Sequence, residues 1–160
     1  MNALTPLTAD QSYLRHFWHP VATVNELEAA DPAGNGPIGR TLLDEPLVIA
    51  KLNGKYVAMR DRCAHRYAKL SVGKVLENNR IQCPYHGWEY GASGRCELMP
   101  ACPSDAIPKK AFTPAYACEE RYGIIWVRLD SSWDCTNIPY CEAWENPEFK
   151  RQIIAEPYNW

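Results

Sequence analysis

The sequence lacks a long apolar run and lacks an excess of charge of either sign. Its 160 residues include 17 Lys and Arg and 19 Asp and Glu, for a formal net charge of −2. No segment approaches the roughly 18 apolar residues of a membrane-spanning helix, and no basic stretch followed by an apolar one opens the chain. A near-neutral chain gives no electrostatic reason to bind nucleic acid or an anionic membrane. We expect neither partner and no membrane span.

Histidine is scarce and cysteine is plentiful, with four and seven residues respectively. An odd number of irregularly spaced cysteines does not resemble a small secreted disulfide framework. We therefore expect one ordinary domain in the cytoplasm or another reducing compartment, with enough apolar residues for a core without disulfides.

Two short motifs combine histidines with cysteines. Cys63-Ala64-His65 is followed, after residues 66–82, by Cys83-Pro84-Tyr85-His86. Two thiolates and two imidazoles suit a Rieske [2Fe-2S] centre, in which two cysteines bind one iron and two histidines bind the other. The sequence therefore predicts four metal ligands: Cys63, His65, Cys83 and His86. The other cysteines are expected to be free thiols: Cys96, Cys102, Cys118, Cys135 and Cys141.

Zinc is the competing metal, because it also binds two cysteines and two histidines. Structural zinc sites usually separate paired ligands by two to four residues, and the single residue between Cys63 and His65 is too short for that habit. Glycines and aromatic residues also crowd both motifs, as the wrapping of a cluster requires: Gly73, Tyr85, Gly87 and Trp88. The pattern favours an iron-sulfur cluster.

Short strands separated by tight turns predict an all-β fold of small antiparallel sheets. Asn53-Gly54 is a two-residue hairpin turn, and two hairpin loops are expected to present the metal ligands. Short helical segments are expected near the ends, at 8–15 and 141–145, and an extended pattern at 149–155. Strands are expected at residues 38–43, 46–51, 55–60, 80–82, 88–90, 95–99, 116–120 and 123–129.

The motif C-x-H-x17-C-x2-H, present here as CAHR and CPYHGW, resembles the Rieske domain of the Rieske non-haem iron oxygenases. Residues 17–21 resemble the first aromatic strand of that domain, and residues 120–127 resemble its closing strand. Tyr67 stands where a glycine is often found. In this respect the chain is more similar to the pheophorbide a oxygenase, vanillate demethylase and dicamba monooxygenase branch than to the multi-subunit arene dioxygenases.

The resemblance implies an electron relay. Cys63 and Cys83 would bind the buried iron, and His65 and His86 the outer iron, from which electrons leave one at a time. A reductase or ferredoxin would supply these electrons. They would pass to a mononuclear Fe(II) that activates O₂ in a monooxygenase or dioxygenase reaction. That iron would lie in a catalytic domain of the same or a neighbouring subunit, for example in a trimer.

Three basic residues near the first motif have more than one interpretation. Arg62, Arg66 and Lys69 could steer an acidic reductase or hold a neighbouring subunit. A solvated loop surface explains them equally well.

Three positions separate this chain from the Rieske proteins of cytochrome complexes. Their inter-loop disulfide would fall at Ala68 and Tyr85, and their serine hydroxyl would fall at Trp88, although the matching tyrosine is retained as Tyr90. Fewer hydrogen bonds to sulfur stabilise the reduced cluster less. We expect a midpoint potential near the lower end of the Rieske range, at roughly −150 mV.

The chain offers no site for the mononuclear iron, so no catalytic residue is assigned. His16 and His19 precede the Rieske motifs at a spacing that does not match such a site, and we expect them to pack or lie at the surface. The predicted organisation is an N-terminal segment at 1–15, a Rieske domain at 16–130, and a linker or the start of a catalytic domain at 131–160. We expect the N-terminal part of a longer oxygenase; the alternative is a stand-alone Rieske ferredoxin or a split oxygenase subunit.

Overall fold

Antiparallel strands dominate the computed structural model, which describes residues 9–102, 106–133 and 137–153. The helices in these residues are short: α1 (Val24–Glu28), α2 (Glu142–Glu145) and the 3₁₀ helices Ala9–His16 and Leu70–Val72. The all-β prediction, with helical segments near the ends, is confirmed. The strands are β1 (His19–Thr23), β2 (Ile38–Leu42), β3 (Glu45–Leu52), β4 (Lys55–Arg60), β5 (Lys74–Val75), β6 (Ile81–Gln82), β7 (Glu89–Tyr90), β8 (Cys96–Leu98), β9 (Ala115–Arg121) and β10 (Ile124–Arg128).

The larger sheet has six strands in the order β1-β10-β9-β4-β3-β2. Its β3–β4 hairpin closes at Asn53 and Gly54, whose φ angles of 51° and 74° are both left-handed, as a type I′ turn requires. Strand β9 joins this hairpin through the pair Ala58 and Tyr116. Strand β1 pairs with β10, so the two ends of the Rieske-like region meet in one sheet.

The smaller sheet has four strands in the order β5-β6-β7-β8 and carries the second metal motif. Strand β3 lies between the two hydrophobic cores because its successive side chains point to opposite faces. Leu47 and Ile49 pack in one core, with Ile125. Val48 and Ala50 pack in the other, which also contains the candidate ligands Cys63 and Cys83.

The two ligand loops occupy different places in this topology. Residues 83–88 form the tip of the β6–β7 hairpin, whereas residues 61–69 connect β4 of the larger sheet to the 3₁₀ helix and β5 of the smaller one. The sheets are in close contact where this connection ends, because a Cβ on Gly73 would lie 2.0 Å from the Gln82 carbonyl oxygen. Only glycine allows this approach, which holds the end of the first loop against the strand that leads into the second.

The C-terminal part is irregular where an extended pattern was expected. Residues 149–153 form no strand, so this prediction is wrong for them, and residues 154 and 155 lie outside the described residues. No helix in the described parts of the chain has the length and apolar content needed to cross a membrane.

Candidate metal centre

Both ligand loops are closed by the same pair of backbone hydrogen bonds. The Cys63 N–H donates to the Ala68 carbonyl (2.8 Å), and the Tyr67 N–H donates to the Cys63 carbonyl (2.9 Å). In the second loop, the Cys83 N–H donates to the Trp88 carbonyl (2.8 Å) and the Gly87 N–H to the Cys83 carbonyl (3.1 Å). The residue four places after each cysteine, Tyr67 or Gly87, has a left-handed backbone conformation.

The two left-handed positions are filled by different residues. Gly87 has a φ of 70°, which costs glycine little, whereas Tyr67 has a φ of 61°, which is unfavourable for a residue with a side chain. The unusual tyrosine of the sequence therefore occupies the position that glycine takes in the second loop.

The two cysteines are brought together in the core between the sheets. Cys63 and Cys83 are each 2% exposed, and both are free thiols. Burial raises the pKa of the Cys83 thiol, and the neighbouring Cys63 raises it further. A thiolate at this place requires compensating positive charge, which the irons of a cluster bound there would supply.

Tyr90 supports the cysteine pair from β7. Its hydroxyl accepts a hydrogen bond from the Ala64 N–H (3.0 Å) and lies 3.1 Å from Cys63 Sγ. Since the oxygen already accepts from Ala64, its own hydrogen is free to point at the sulfur. Burial raises the pKa of Tyr90, so the hydroxyl stays protonated as a donor.

The two histidines form a second pair beside the cysteines. Their ring centroids are 4.6 Å apart with an interplanar angle of 58°. His86 is exposed and His65 is half-buried. The pKa of His65 is lowered by its removal from water, and it is lowered further by the nearby His86 and by the charge of Arg66. A lowered pKa favours the neutral imidazole that a metal binds.

Each histidine is covered by an aromatic residue of the second loop. The Trp88 ring is stacked on His65, with centroids 4.7 Å apart and an interplanar angle of 4°. The Tyr85 ring lies against His86 at 3.8 Å and 35°. Trp88 also packs against the core that contains the two cysteines, whereas Tyr85 is 64% exposed. Trp88 therefore fixes the orientation of one imidazole from the inside.

The residues present fit a two-iron cluster. His65 Nδ1 is buried and has no hydrogen-bond partner in the part of the chain that the structure describes, which is the state of a nitrogen reserved for a metal. In the same residues, no three His, Cys, Asp or Glu side chains converge on a single ion. Sulfur is paired with sulfur and nitrogen with nitrogen, as a Rieske cluster requires.

The remaining predictions about side chains can also be compared with the structure. His16 lies 3.6 Å from Asp130 and stacks on Trp133, and His19 Nε2 is 2.8 Å from the Leu14 carbonyl. Both histidines thus have the packing roles that were expected. The cysteines outside the site are free as predicted at Cys96, Cys102, Cys118 and Cys141, and Cys135 lies outside the described residues.

A polar network on β7 was not anticipated from the sequence. Glu89, 6% exposed, accepts hydrogen bonds from Asn78 (3.1 Å), Arg80 (3.4 Å) and Gln82 (3.5 Å). Arg80 also pairs with Glu97 at 2.8 Å. Ile81 and Tyr90 face inward, and each is followed or preceded by a polar residue, Gln82 or Glu89. Because side chains alternate along a strand, this pattern could have placed the two polar residues together on the opposite face.

A buried pair of thiols beside a pair of imidazoles, on two matched loops of a small β fold, defines the class of Rieske iron-sulfur proteins. Residues 17–117 match the Rieske [2Fe-2S] domain family, and the chain belongs to this family. The cofactor of such a domain is a [2Fe-2S] cluster.

Several known proteins are similar to this chain. It is 60% identical to methylxanthine N1-demethylase NdmA of Pseudomonas putida over 151 residues, which cover 94% of this chain and 42% of the relative. It is 52% identical to methylxanthine N3-demethylase NdmB of the same organism, with 98% and 45% covered. Pheophorbide a oxygenase of Oryza sativa subsp. japonica is 37% identical, with 92% and 30% covered.

Solved structures agree with these relationships. The structure of Pseudomonas putida CBB5 NdmA superposes with a TM-score of 0.84 over 88% of this chain and 42% of that one, at 60% identity. Dicamba monooxygenase superposes with a TM-score of 0.72 over 83% and 40%, at 34% identity. The chain thus spans less than half the length of these oxygenases and corresponds to their Rieske part.

Proposed function

We propose that this chain is the electron-relay domain of a Rieske oxygenase. Cys63 and Cys83 bind one iron of the cluster, and His65 and His86 bind the other. The observation that carries the proposal is the buried thiol pair directly beside an imidazole pair whose outer member, His86, is exposed.

The protein supplies the surroundings of the cluster. When bound, a Rieske [2Fe-2S] cluster accepts and releases one electron at a time. Tyr90 stabilises the thiolate of Cys63 by a hydrogen bond, and Trp88 excludes water from one face of His65. The exposed imidazole of His86 brings the outer edge of the site to the surface, where an electron acceptor can approach it.

The metal content tests this assignment. The purified protein is expected to contain two irons and two acid-labile sulfides per chain and to be coloured. A colourless protein that holds zinc, with neither iron nor sulfide, would overturn it.

We further propose the organisation of the complete protein. Residues 16–130 form the Rieske domain, after an N-terminal segment at 1–15, and residues 131–160 lead into a catalytic domain with a mononuclear Fe(II). That domain belongs to the same or a neighbouring subunit, for example in a trimer, and a reductase or ferredoxin supplies electrons. Free thiols at several cysteines support a cytoplasmic or other reducing location.

The coding sequence tests this organisation. An open reading frame that continues past codon 160 into two histidines and a carboxylate at iron-binding spacing would support it. A stop codon directly after codon 160 would instead support the stand-alone ferredoxin or the split subunit.

The identities of 60% and 52% to two methylxanthine demethylases support a proposal for the reaction. The complete protein would remove an N-methyl group from a methylated purine. The group leaves as formaldehyde while O₂, two electrons and two protons are consumed and water is formed. Incubation with a reductase, NADH and methylxanthines should yield formaldehyde and the demethylated purine in equal amounts. A hydroxylated purine without formaldehyde would contradict this reaction.

A further inference from the structure

The first ligand loop carries a concentration of positive charge in a chain whose net charge is −2. Residues 60–69 contain the basic residues Arg60, Arg62, Arg66 and Lys69, with Asp61 as the acidic residue among them. Asp61 is 7% exposed, and its carboxylate accepts hydrogen bonds from the backbone (2.7 Å) and the hydroxyl (2.6 Å) of Ser71. Its charge is therefore turned away from solvent.

Three of the four basic residues are exposed. Arg60 is neutralised by Glu45, to which its guanidinium donates at 3.0 Å. Arg62, Arg66 and Lys69 are exposed, and they form no ion pair with an acidic side chain in the described ranges 9–102, 106–133 and 137–153. This loop therefore presents uncompensated positive charge at the metal centre.

The same loop exposes an aromatic ring in a strained conformation. Tyr67 is 64% exposed and left-handed, and the Arg62 guanidinium stacks over its ring at 3.7 Å. A side chain in this backbone region costs on the order of 1 kcal/mol or more and persists where its surroundings or its function require it. The Arg62–Tyr67 stack holds a flat, cationic and partly apolar platform at the surface.

A shallow groove beside this platform leads to the cysteine side of the metal centre. Its volume is about 140 Å³, and Arg62, Tyr67 and Phe112 line it together with Cys63. Phe112 is 52% exposed, whereas Cys63 is 2% exposed. A protein seated on the groove would therefore be separated from Cys63 by very few atoms. His86, by contrast, reaches the surface on the second loop.

Resting on the proposed function, we propose that an acidic electron-donor protein docks on the surface formed by Arg62, Arg66, Lys69, Tyr67 and Phe112. Uncompensated basic side chains steer an acidic partner, and exposed aromatic rings and arginine are the residues that anchor protein interfaces. A cluster held by the four ligands would take up the one electron that the donor releases, with no proton or group transferred. His86 is left for the electron acceptor, so donor and acceptor use different surfaces of the domain.

The experiment compares two reductants of the complete, cluster-loaded protein. The first is an acidic plant-type [2Fe-2S] ferredoxin, kept reduced by NADPH and its reductase, and the second is the small, uncharged radical of photoreduced 5-deazaflavin. Stopped-flow bleaching of the visible spectrum gives both rate constants. Arg62→Glu is expected to slow the ferredoxin reaction at least tenfold at low salt, to weaken its dependence on ionic strength, and to leave the deazaflavin reaction unchanged.

Lys55→Glu is the matched control because it makes the same charge change on an exposed residue. Lys55 begins β4 and Arg60 ends it, which places it about 17 Å along the strand from the loop. This variant should react like the unmodified protein. Arg66→Glu removes a charge without touching the Arg62–Tyr67 stack, and it should slow the ferredoxin reaction as well even if Arg62→Glu fails to retain its cluster.

Three results would overturn the docking surface. Equal rates for Arg62→Glu and Lys55→Glu would show that Arg62 does not contact the donor. Unchanged ferredoxin rates for Arg66→Glu would show that the positive charge of this loop does not attract the donor. Unchanged reduction with a loss of oligomeric assembly in gel filtration would assign the surface to a neighbouring subunit. Failure of 5-deazaflavin to reduce the unmodified protein would refute the proposed electron relay itself.

Discussion

The first ligand loop, residues 61–69, and the second, residues 83–88, are closed by the same two backbone hydrogen bonds. They nevertheless place their histidines differently. His65 follows its cysteine by two residues and is half-buried under Trp88, whereas His86 follows by three and is exposed. The first loop connects two sheets and is basic, while the second is a hairpin tip whose outer side chains, at Pro84 and Tyr85, are uncharged.

One loop geometry can therefore hold one histidine in the interior and present the other at the surface. The shared hydrogen bonds place both cysteines in the core and turn the chain back with a left-handed residue. The imidazole two residues after its cysteine, His65, lies inward and is held by packing, whereas the one three residues after its cysteine, His86, lies outward and is available to a partner. We therefore expect changes in the two loops to have unequal effects.

The largest effect is expected from removal of a cysteine ligand. Cys83→Ser should lose the cluster completely, because serine does not replace the thiolate in a buried soft-metal site. Iron and acid-labile sulfide per chain measure this. Cys118→Ser is the control because it changes a free thiol that packs in the other core. Full iron content in Cys83→Ser would contradict the assignment of this ligand.

The contact between the two loops is tested by Gly73→Ala. Its Cβ would meet the Gln82 carbonyl oxygen at 2.0 Å, so the strand before Cys83 has to move, at a cost of about 3 kcal/mol in the free energy of unfolding. Chemical denaturation measures this change. Gly54→Ala provides the comparison, since its left-handed φ is strained but no atom lies within 4 Å of the added Cβ; about 1 kcal/mol is expected. Equal losses in both variants would show that the contact between the loops is loose.

Trp88 and Tyr85, the aromatic residues that cover the two histidines, are buried to different extents. We therefore expect their replacement to lower stability by different amounts. Trp88→Leu should lower the free energy of unfolding by about 2 kcal/mol, because Trp88 fills part of the core and stacks on His65. Tyr85→Leu, at a side chain 64% exposed, should change it by less than about 0.5 kcal/mol. Thermal unfolding of the cluster-loaded variants compares the two. A larger loss of stability for Tyr85→Leu than for Trp88→Leu would contradict the assignment of Trp88 as the inner aromatic residue and Tyr85 as the outer one.

Tyr90→Phe should shift the midpoint potential to a more negative value. The variant removes the hydroxyl 3.1 Å from Cys63 Sγ, and a hydrogen bond of about 1 kcal/mol to the reduced state corresponds to roughly 40 mV for one electron. Spectroelectrochemical titration measures it. Tyr116→Phe is the control, since that tyrosine lies in the larger sheet and packs against the other hydrophobic core. A shift of Tyr90→Phe to a more positive potential would contradict the donor role of the tyrosine.

The smallest effect is expected from making the left-handed positions of the two loops alike. Tyr67→Gly removes the strain at a φ of 61° but also the stack with Arg62, and it adds freedom to the unfolded chain. These contributions oppose one another, so the free energy of unfolding should change by less than about 1 kcal/mol. Tyr67→Ala keeps the strain and loses the stack, so it should be the less stable of the two in chemical denaturation. The opposite order would show that Tyr67 is not strained.

Local patterns in the sequence were sufficient to predict much of the fold and the Rieske family, and the four ligands remain a prediction from the same patterns. Asn53-Gly54 strongly favours a tight hairpin, and the spacing of Cys63, His65, Cys83 and His86 restricts the metal chemistry. These signals depend on residues close together in the sequence, so they can be recognised without knowledge of the tertiary structure.

Pairing between distant residues could not be predicted in the same way. The partnership of β1 with β10, the stacking of Trp88 on His65 and the approach of Gly73 to Gln82 depend on the packing of separate segments. The extended pattern at 149–155 failed over 149–153 because a strand also needs a partner strand, which an apolar sequence alone does not supply.

A redox titration of the visible spectrum tests the central claim most directly. A cluster held by Cys63, His65, Cys83 and His86, with Tyr90 as the side-chain hydroxyl donor and Trp88 in place of a second one, should bleach reversibly by one electron at roughly −150 mV. A colourless protein, or a midpoint above about +150 mV on the same scale, would contradict it.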